Sequence, residues 1–216
     1  MSETMYAPDL SAMPSTYQRV LDAACTLFLR EGYRVSMESV ARLAGVAKQT
    51  VYAHFESKDA LFRAAARALL EPLHEALAPQ PSDLPGFLFE VARQYMRYVN
   101  TSEAAALCRM LSAQVPRFPR LAADMYRHGL GQVQSRLAER LSQAMTSGDL
   151  RRDDPNVAAE LFLSMIAGLE PQRTWCGVDT RGQKAQDSWT RHAVNMFIQL
   201  YAPTPLSSDH HLRTSS

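Results

Sequence analysis

Apolar residues recur at helical spacing along almost the whole chain, and no stretch alternates apolar and polar residues with the period of two that a half-buried strand needs. The pattern predicts an all-α fold of about nine helices. Residues 15–31 open with Ser15-Thr16-Tyr17-Gln18, a capping-box spacing, and place Val20, Leu21, Ala24, Leu27 and Phe28 on one face before Gly32 stops the helix. Ser36 caps a second helix over 37–44, with Met37, Val40, Leu43 and Ala44 together and Gly45 at its end. After Val46 and Ala47 the period resumes at Lys48 and runs to Ala53. Ser57 then caps a long helix, 58–78, carrying Leu61, Phe62, Ala65, Leu69 and Leu70. A break at Pro79, Pro81 and Pro85 marks a domain boundary. Beyond it the spacing predicts helices over 84–100, 102–114, 119–147, 155–176 and 183–201. Asp154-Pro155 starts the fourth of these as an N-cap followed by proline.

The most specific signal lies between Ser36 and Lys58. Two short helices joined by a turn holding Gly45 form a helix-turn-helix, whose second helix can enter a major groove ~12 Å wide. Val40, Ala44, Val46 and Val51 fall where the helices must touch, while Lys48, Gln49, Thr50, Tyr52 and His54 stay polar and outward. Gln49 can donate to and accept from an adenine edge, and Thr50 offers a hydroxyl and a methyl to a thymine. Lys48, Tyr52 and His54 suit phosphate oxygens, as do Lys58 and Ser36 at two further helix starts. A helical hairpin with a glycine turn also occurs as plain packing, so the hairpin alone does not decide the matter.

The stretch from Val40 through Ala44-Gly45-Val46, Thr50-Val51-Tyr52, His54-Phe55 and Ser57-Lys58 to Phe62 closely resembles the DNA-binding segment of the tetracycline-repressor-like (TetR) regulators, and residues 15–62 match throughout. The resemblance implies a homodimer. Each subunit would supply one three-helix DNA-binding domain, 15–62, joined by a fourth helix to a ligand-binding and dimerising domain, 63–202, with residues 1–14 and 203–216 as flexible tails. Family DNA contacts would fall on Ser36, Lys48, Gln49, Thr50, Tyr52, His54 and Lys58. Ala47 departs from the pattern, because the family often has Ser or Thr there; the missing hydroxyl removes a helix cap of ~1 kcal/mol. The run Arg109 to Pro119, with Gly148-Asp149-Leu150-Arg151 and Asp153-Asp154-Pro155, resembles the C-terminal domain of AefR- and AcrR-like members. On that resemblance Phe162, Ile166, Leu169, Trp189, Met196, Phe197 and Leu200 would pair with their symmetry mates as a four-helix bundle, although such stripes serve equally as intrachain core. Tyr95, Met96, Leu107, Met110, Phe118, Met125, Met165 and Trp175 are candidates to line a pocket for a small hydrophobic effector, because soft and aromatic side chains line adaptable cavities.

Composition narrows the rest. The 216 residues are 46% hydrophobic and 21% charged, which excludes disordered and fibrous classes. A formal net charge of +1 means that double-stranded DNA must be gripped locally. No apolar run reaches the ~18–20 residues that span a bilayer, and Met1-Ser2-Glu3-Thr4-Met5 has no secretory character, so a cytoplasmic protein without membrane contact is expected. Cys25, Cys108 and Cys176 are too widely spaced for a zinc site, and His210 and His211 sit in the tail, so neither metal nor cofactor is expected. No Ser/His/Asp arrangement, paired-carboxylate motif or Gly-rich phosphate loop supports the competing class, a helical enzyme or small-molecule carrier. The expected function is a repressor that binds a palindromic operator and is released by an effector. An activator or a ligand-independent regulator differs only in sign and trigger.

Overall fold

Many helices begin at a side-chain cap or end at a glycine: Ser15, Ser36, Ser57, Asp83 and Asp154 cap α-helices, and Gly32, Gly45, Gly168 and Gly177 follow helix ends. The computed structural model describes residues 14–78, 83–116 and 119–203, without the side chains of Met110, Leu111, Gln114 and Leu121. Pro79, Pro81, Phe118, His210, His211 and nearly all of both expected tails lie outside the described residues. Twelve α-helices and no strand occur among the described residues: α1 Thr16–Glu31, α2 Met37–Ala44, α3 Lys48–His54, α4 Lys58–Ala68, α5 Glu71–Ala76, α6 Leu84–Val99, α7 Ser102–Gln114, α8 Pro119–His128, α9 Leu130–Ser147, α10 Pro155–Ala167, α11 Glu170–Cys176 and α12 Gln183–Leu200.

The excess over nine comes from three expected helices that divide. The helix over 58–78 stops at Ala68 and restarts at Glu71. Pro72 has no N–H to offer the Ala68 carbonyl, and its ring would collide with it. The helix over 119–147 is interrupted at Gly129, whose N–H bonds to the Tyr126 carbonyl at 3.2 Å, three residues back instead of four. The helix over 155–176 breaks at Gly168, where φ is 52° and ψ is −129°. A Cβ there would also lie 3.1 Å from the Trp189 ring.

The helices form two compact units. Among the described residues, one comprises those up to Glu71 and those within Ser102–Gly129; the other comprises those within Pro72–Thr101 and those from Leu130 to residue 203. This grouping departs from the sequence division at residue 62, because α7 and α8 pack with the N-terminal helices: α1 lies against α2, α4 and α7, and α4 against α8. In the first unit Val20, Ala24, Phe28, Val40, Val51, Leu61 and Phe62 are at most 3% exposed, and Leu107 and Met125 join the same core. Phe28 meets Phe62 edge to face at 4.6 Å between ring centres.

In the second unit α10 packs on α6, α9 and α12. Phe162 meets Phe197 edge to face at 5.0 Å between centres, and Phe197 stacks on Tyr201 at 4.7 Å. Leu150 is buried, and Arg151 ties the end of α12 down by donating from its backbone to the Tyr201 carbonyl at 2.9 Å and from its guanidinium to the Leu200 carbonyl at 3.0 Å.

This packing corrects part of the expected dimer face. Phe162, Ile166 and Phe197 are completely buried within their own subunit and cannot meet a partner. Trp189 is half-buried, and its indole N–H donates to the Ile166 carbonyl at 2.9 Å. Leu169, Met196 and Leu200 are exposed, together with Val157 and Leu161. Because α10 is apolar on several sides, its periodicity alone cannot say which stripe faces inward.

Gly168→Ala is expected to lose about 1–3 kcal/mol, because a side chain there meets both an unfavourable backbone conformation and the Trp189 ring. Thermal denaturation checks this, with a fall of roughly 2–10 °C for a chain of this size. An unchanged midpoint would show that the break at Gly168 is not required.

Candidate DNA-binding surface

The second and third helices are held in a fixed relation by the turn between them. Ser36 and Ser39 cap α2 reciprocally: the Ser36 hydroxyl oxygen accepts the Ser39 N–H at 3.0 Å and the Ser39 hydroxyl oxygen accepts the Ser36 N–H at 3.1 Å. Gly45 ends α2 in the left-handed conformation, φ 66° and ψ 39°, which turns the chain into α3. Ala47 precedes α3 without a side-chain cap bond, as its missing hydroxyl implies. The buried face of α2 is Met37, Val40, Ala41 and Ala44; Leu43, expected on that face, is 52% exposed because it lies two residues beyond the inward-facing Ala41.

Helix α3 is anchored through Val51, which is 0% exposed, and by Phe55 just beyond its end, which stacks on Tyr17 at 5.2 Å. Every other side chain of the helix is at least partly accessible: Lys48, Gln49, Tyr52 and His54 are exposed and Thr50 is half-buried. Gln49 and Thr50 therefore present amide and hydroxyl groups from the first turn of the helix. The Lys48 ammonium donates to the Glu38 carboxylate on α2 and lies 5.8 Å from the centre of the Tyr52 ring. The pair holds the Glu38 carboxyl below its usual range and the Lys48 ammonium above its own. His54 meets Tyr17 edge to face at 5.8 Å.

At the start of α4 the Ser57 hydroxyl accepts the Ala60 N–H at 3.1 Å. Lys58 lies half-buried with its ammonium 4.1 Å from the centre of the Tyr33 ring, and the Tyr33 hydroxyl donates to Asp59. Partial burial lowers the Lys58 pKa against the opposing pull of Asp59. The seven residues expected to contact DNA thus fall on α3 and on the starts of α2 and α4. Ser36 is committed to its cap: its hydroxyl oxygen accepts the Ser39 N–H and lies 3.1 Å from the Ser39 hydroxyl, and its hydroxyl also hydrogen-bonds the Glu38 carboxylate. Glu38, Tyr17 and Tyr33 belong to the same surface and were missed, since only folding brings them beside Lys48, His54 and Lys58.

The candidate pocket residues divide between the two units. Leu107 and Met125 are core of the first unit. In the second, Met96 is 2% exposed, Tyr95 and Met165 are half-buried and Trp175 is 45% exposed. Phe118 and the Met110 side chain lie outside the described residues. A groove of about 540 Å³ beside α9 is lined by Ser135, Ala138, Glu139, Ser142, Gln143, Pro155 and Asn156, none of them a candidate. Among the described residues no group of three or more His, Cys, Asp or Glu side chains could hold a metal, and no helix is long and apolar enough to cross a membrane.

Comparison with known proteins now decides the family. Residues 20–65 match the model of the bacterial regulatory proteins of the tetR family, and residues 87–203 match that of the AefR-like transcriptional repressor C-terminal domain. The chain belongs to the TetR family of transcriptional regulators. A solved structure of the flavonoid-responsive regulator FrrA is 33% identical over 87% of this chain and 97% of that one, with a TM-score of 0.70. A TetR-family regulator from Mesorhizobium loti, at 23% identity over 87% and 96% and a TM-score of 0.70, shares the fold. So does one from Pseudomonas syringae pv. tomato, at 24% over 89% and 99% and a TM-score of 0.65. A search of curated proteins finds no match.

This TetR-family protein is a DNA-binding transcriptional regulator. Its three thiols differ sharply in setting. Cys25 donates to the Ala65 carbonyl at 3.5 Å, and burial, with Asp22 nearby, pushes it up to about 11. Cys108 is also raised by burial, with Arg109 opposing, whereas Cys176 is exposed. Only the thiolate is alkylated, and at pH 8 roughly one Cys25 in a thousand is ionised. Timed alkylation with mass spectrometry is expected to label Cys176 first and Cys25 last. Equal rates for the two would contradict the half-buried position of Cys25 against the core.

Proposed function

We propose that this regulator is a homodimeric repressor that binds a palindromic operator and is released by a small hydrophobic effector. The observation that carries the reading is the division of α3: Val51 is wholly buried, while Lys48, Gln49, Tyr52 and His54 face outward. A helix so divided can lie in a major groove, with Gln49 and Thr50 at base edges and Ser36, Lys48, Tyr52, His54 and Lys58 at phosphates. The two-fold symmetry of a dimer then demands paired half-sites, about 34–36 Å or a multiple apart.

Support for the dimer comes from the apolar side chains left outward on α10 and α12: Val157, Leu161, Met196 and Leu200, with Leu169 just after α10. Support for the effector comes from FrrA, which is described as flavonoid-responsive. We place the effector beside Tyr95 on α6 and Met165 on α10, helices packed on each other with half-buried aromatic and thioether groups. A coupling of about 1–3 kcal/mol between effector and operator would lower DNA affinity ~5–150-fold. The matched C-terminal model is that of a repressor. The sign for this chain depends on where the operator lies relative to its promoter.

Sequencing the genomic fragments retained by the purified protein tests the reading. A palindrome overlapping a promoter is expected, and failure to retain any fragment refutes it. On the recovered operator, Gln49→Ala is expected to weaken binding by about 1–3 kcal/mol and to relax preference at one base position per half-site. Leu200→Glu is expected to shift the protein towards monomer in sedimentation and to lose operator binding with it. A dimer that persists with Glu at position 200 would place the interface elsewhere.

A further inference from the structure

The DNA-reading surface carries a negative charge that no expected DNA contact explains. Glu38 is the second residue of α2, exposed beside the first residue of α3, and its carboxylate accepts from the Lys48 ammonium. Both side chains are about half exposed, 57% for Glu38 and 49% for Lys48. The α2–α3 packing rests instead on Val40, Ala44 and Val51. Lys48 also borders Gln49 and lies near the Tyr52 ring, so the pair sits among the residues proposed to touch DNA.

We infer that Glu38 restrains sequence-independent DNA binding by holding Lys48 in a neutral pair on the reading surface, so that the lysine's charge adds nothing to the attraction for an arbitrary duplex. The inference rests on α3 being the DNA-reading helix. Non-specific binding is almost entirely a matter of phosphate charge met by protein cations, each neutralised phosphate releasing about 0.9 counterion. A carboxylate within reach of Lys48 cancels that release for one cation in every subunit. The pair persists across the ordinary pH range, because the contact holds Glu38 ionised at lower pH and Lys48 ionised at higher pH than usual. Base contacts such as those of Gln49, which involve no net charge, are left intact. Glu38 therefore lowers the baseline against which the operator is recognised.

The test compares the full chain with Glu38→Gln, Lys48→Gln and the double variant on a mixed-sequence duplex, in titrations between about 50 and 200 mM salt. Glu38→Gln is expected to steepen the log–log salt dependence by about 0.9 per subunit and to raise affinity roughly eightfold per subunit near 0.1 M salt. Lys48→Gln is expected to weaken binding, and the double variant, with the same net charge as the wild type, to return to the wild-type slope. The inference is overturned if Glu38→Gln leaves slope and affinity unchanged. It is equally overturned if Glu38→Gln weakens binding at a single base pair of the operator, since Glu38 would then be reading a base. A lowered melting temperature for Glu38→Gln also overturns it, by making the pair a structural strut. If the wild type retains no DNA of any sequence, the assignment of α3 itself fails, an outcome separate from a silent Glu38 in a protein that binds.

Discussion

The burial of Val51 and Phe55 is the constraint on which the outward face of α3, the candidate DNA-binding surface, depends. Helix α3 is only seven residues long, far below the ~12–15 at which an isolated helix holds itself together in water. It is helical because it is docked. With Val51 inserted into the core and Phe55 stacked on Tyr17, the remaining side chains have nowhere to go but outward. The left-handed Gly45 and the reciprocal serine cap of α2 set the direction from which α3 starts, so the same few contacts determine both its stability and its aim.

Charge is distributed with comparable economy. A chain with a net charge of +1 has no general attraction for nucleic acid, and the cations on the reading surface are themselves partnered, Lys48 by Glu38 and Lys58 by the Tyr33 ring. The Lys58 ammonium is held in place but not extinguished, since a phosphate oxygen is a stronger competitor than an aromatic face. Recognition in such a protein leans on geometry and base contacts more than on long-range attraction.

The second unit is organised by buried rings and one buried carboxylate. Phe162, Phe197 and Tyr201 align α10 and α12. Glu170, wholly buried, accepts from the Arg181 guanidinium and backbone N–H and from Arg173 at 3.4 Å. A carboxylate out of water is tolerated only when so surrounded. The guanidinium carbon of Arg181 in turn lies 4.2 Å from the centre of the Trp189 ring, which itself borders Gly168. The break between α10 and α11 and the start of α12 are thereby registered, leaving the apolar side chains of Val157, Leu161, Met196 and Leu200 outside.

Much of this was legible in the residues. The all-helical class, the boundaries of α1, α2, α6 and α7, the helix-turn-helix and the outward set Lys48, Gln49, Tyr52 and His54 all follow from helical spacing, caps and glycine stops, which act within a few residues of one another. What periodicity missed were the breaks at Pro72, Gly129 and Gly168 and the choice among apolar stripes on α10, where Phe162 and Ile166 turned inward and Leu161 outward. Family resemblance supplied the candidate DNA contacts, but Glu38, Tyr17 and Tyr33 came beside Lys48, His54 and Lys58 only when α1, α2, α3 and α4 were packed together. The sequence by itself therefore determined where most helices start and that α3 has an apolar inner and a polar outer side, because these depend on neighbours along the chain. The tertiary structure alone decided which charges meet and which apolar side chains remain uncovered, because those depend on residues brought close only by the burial of the core.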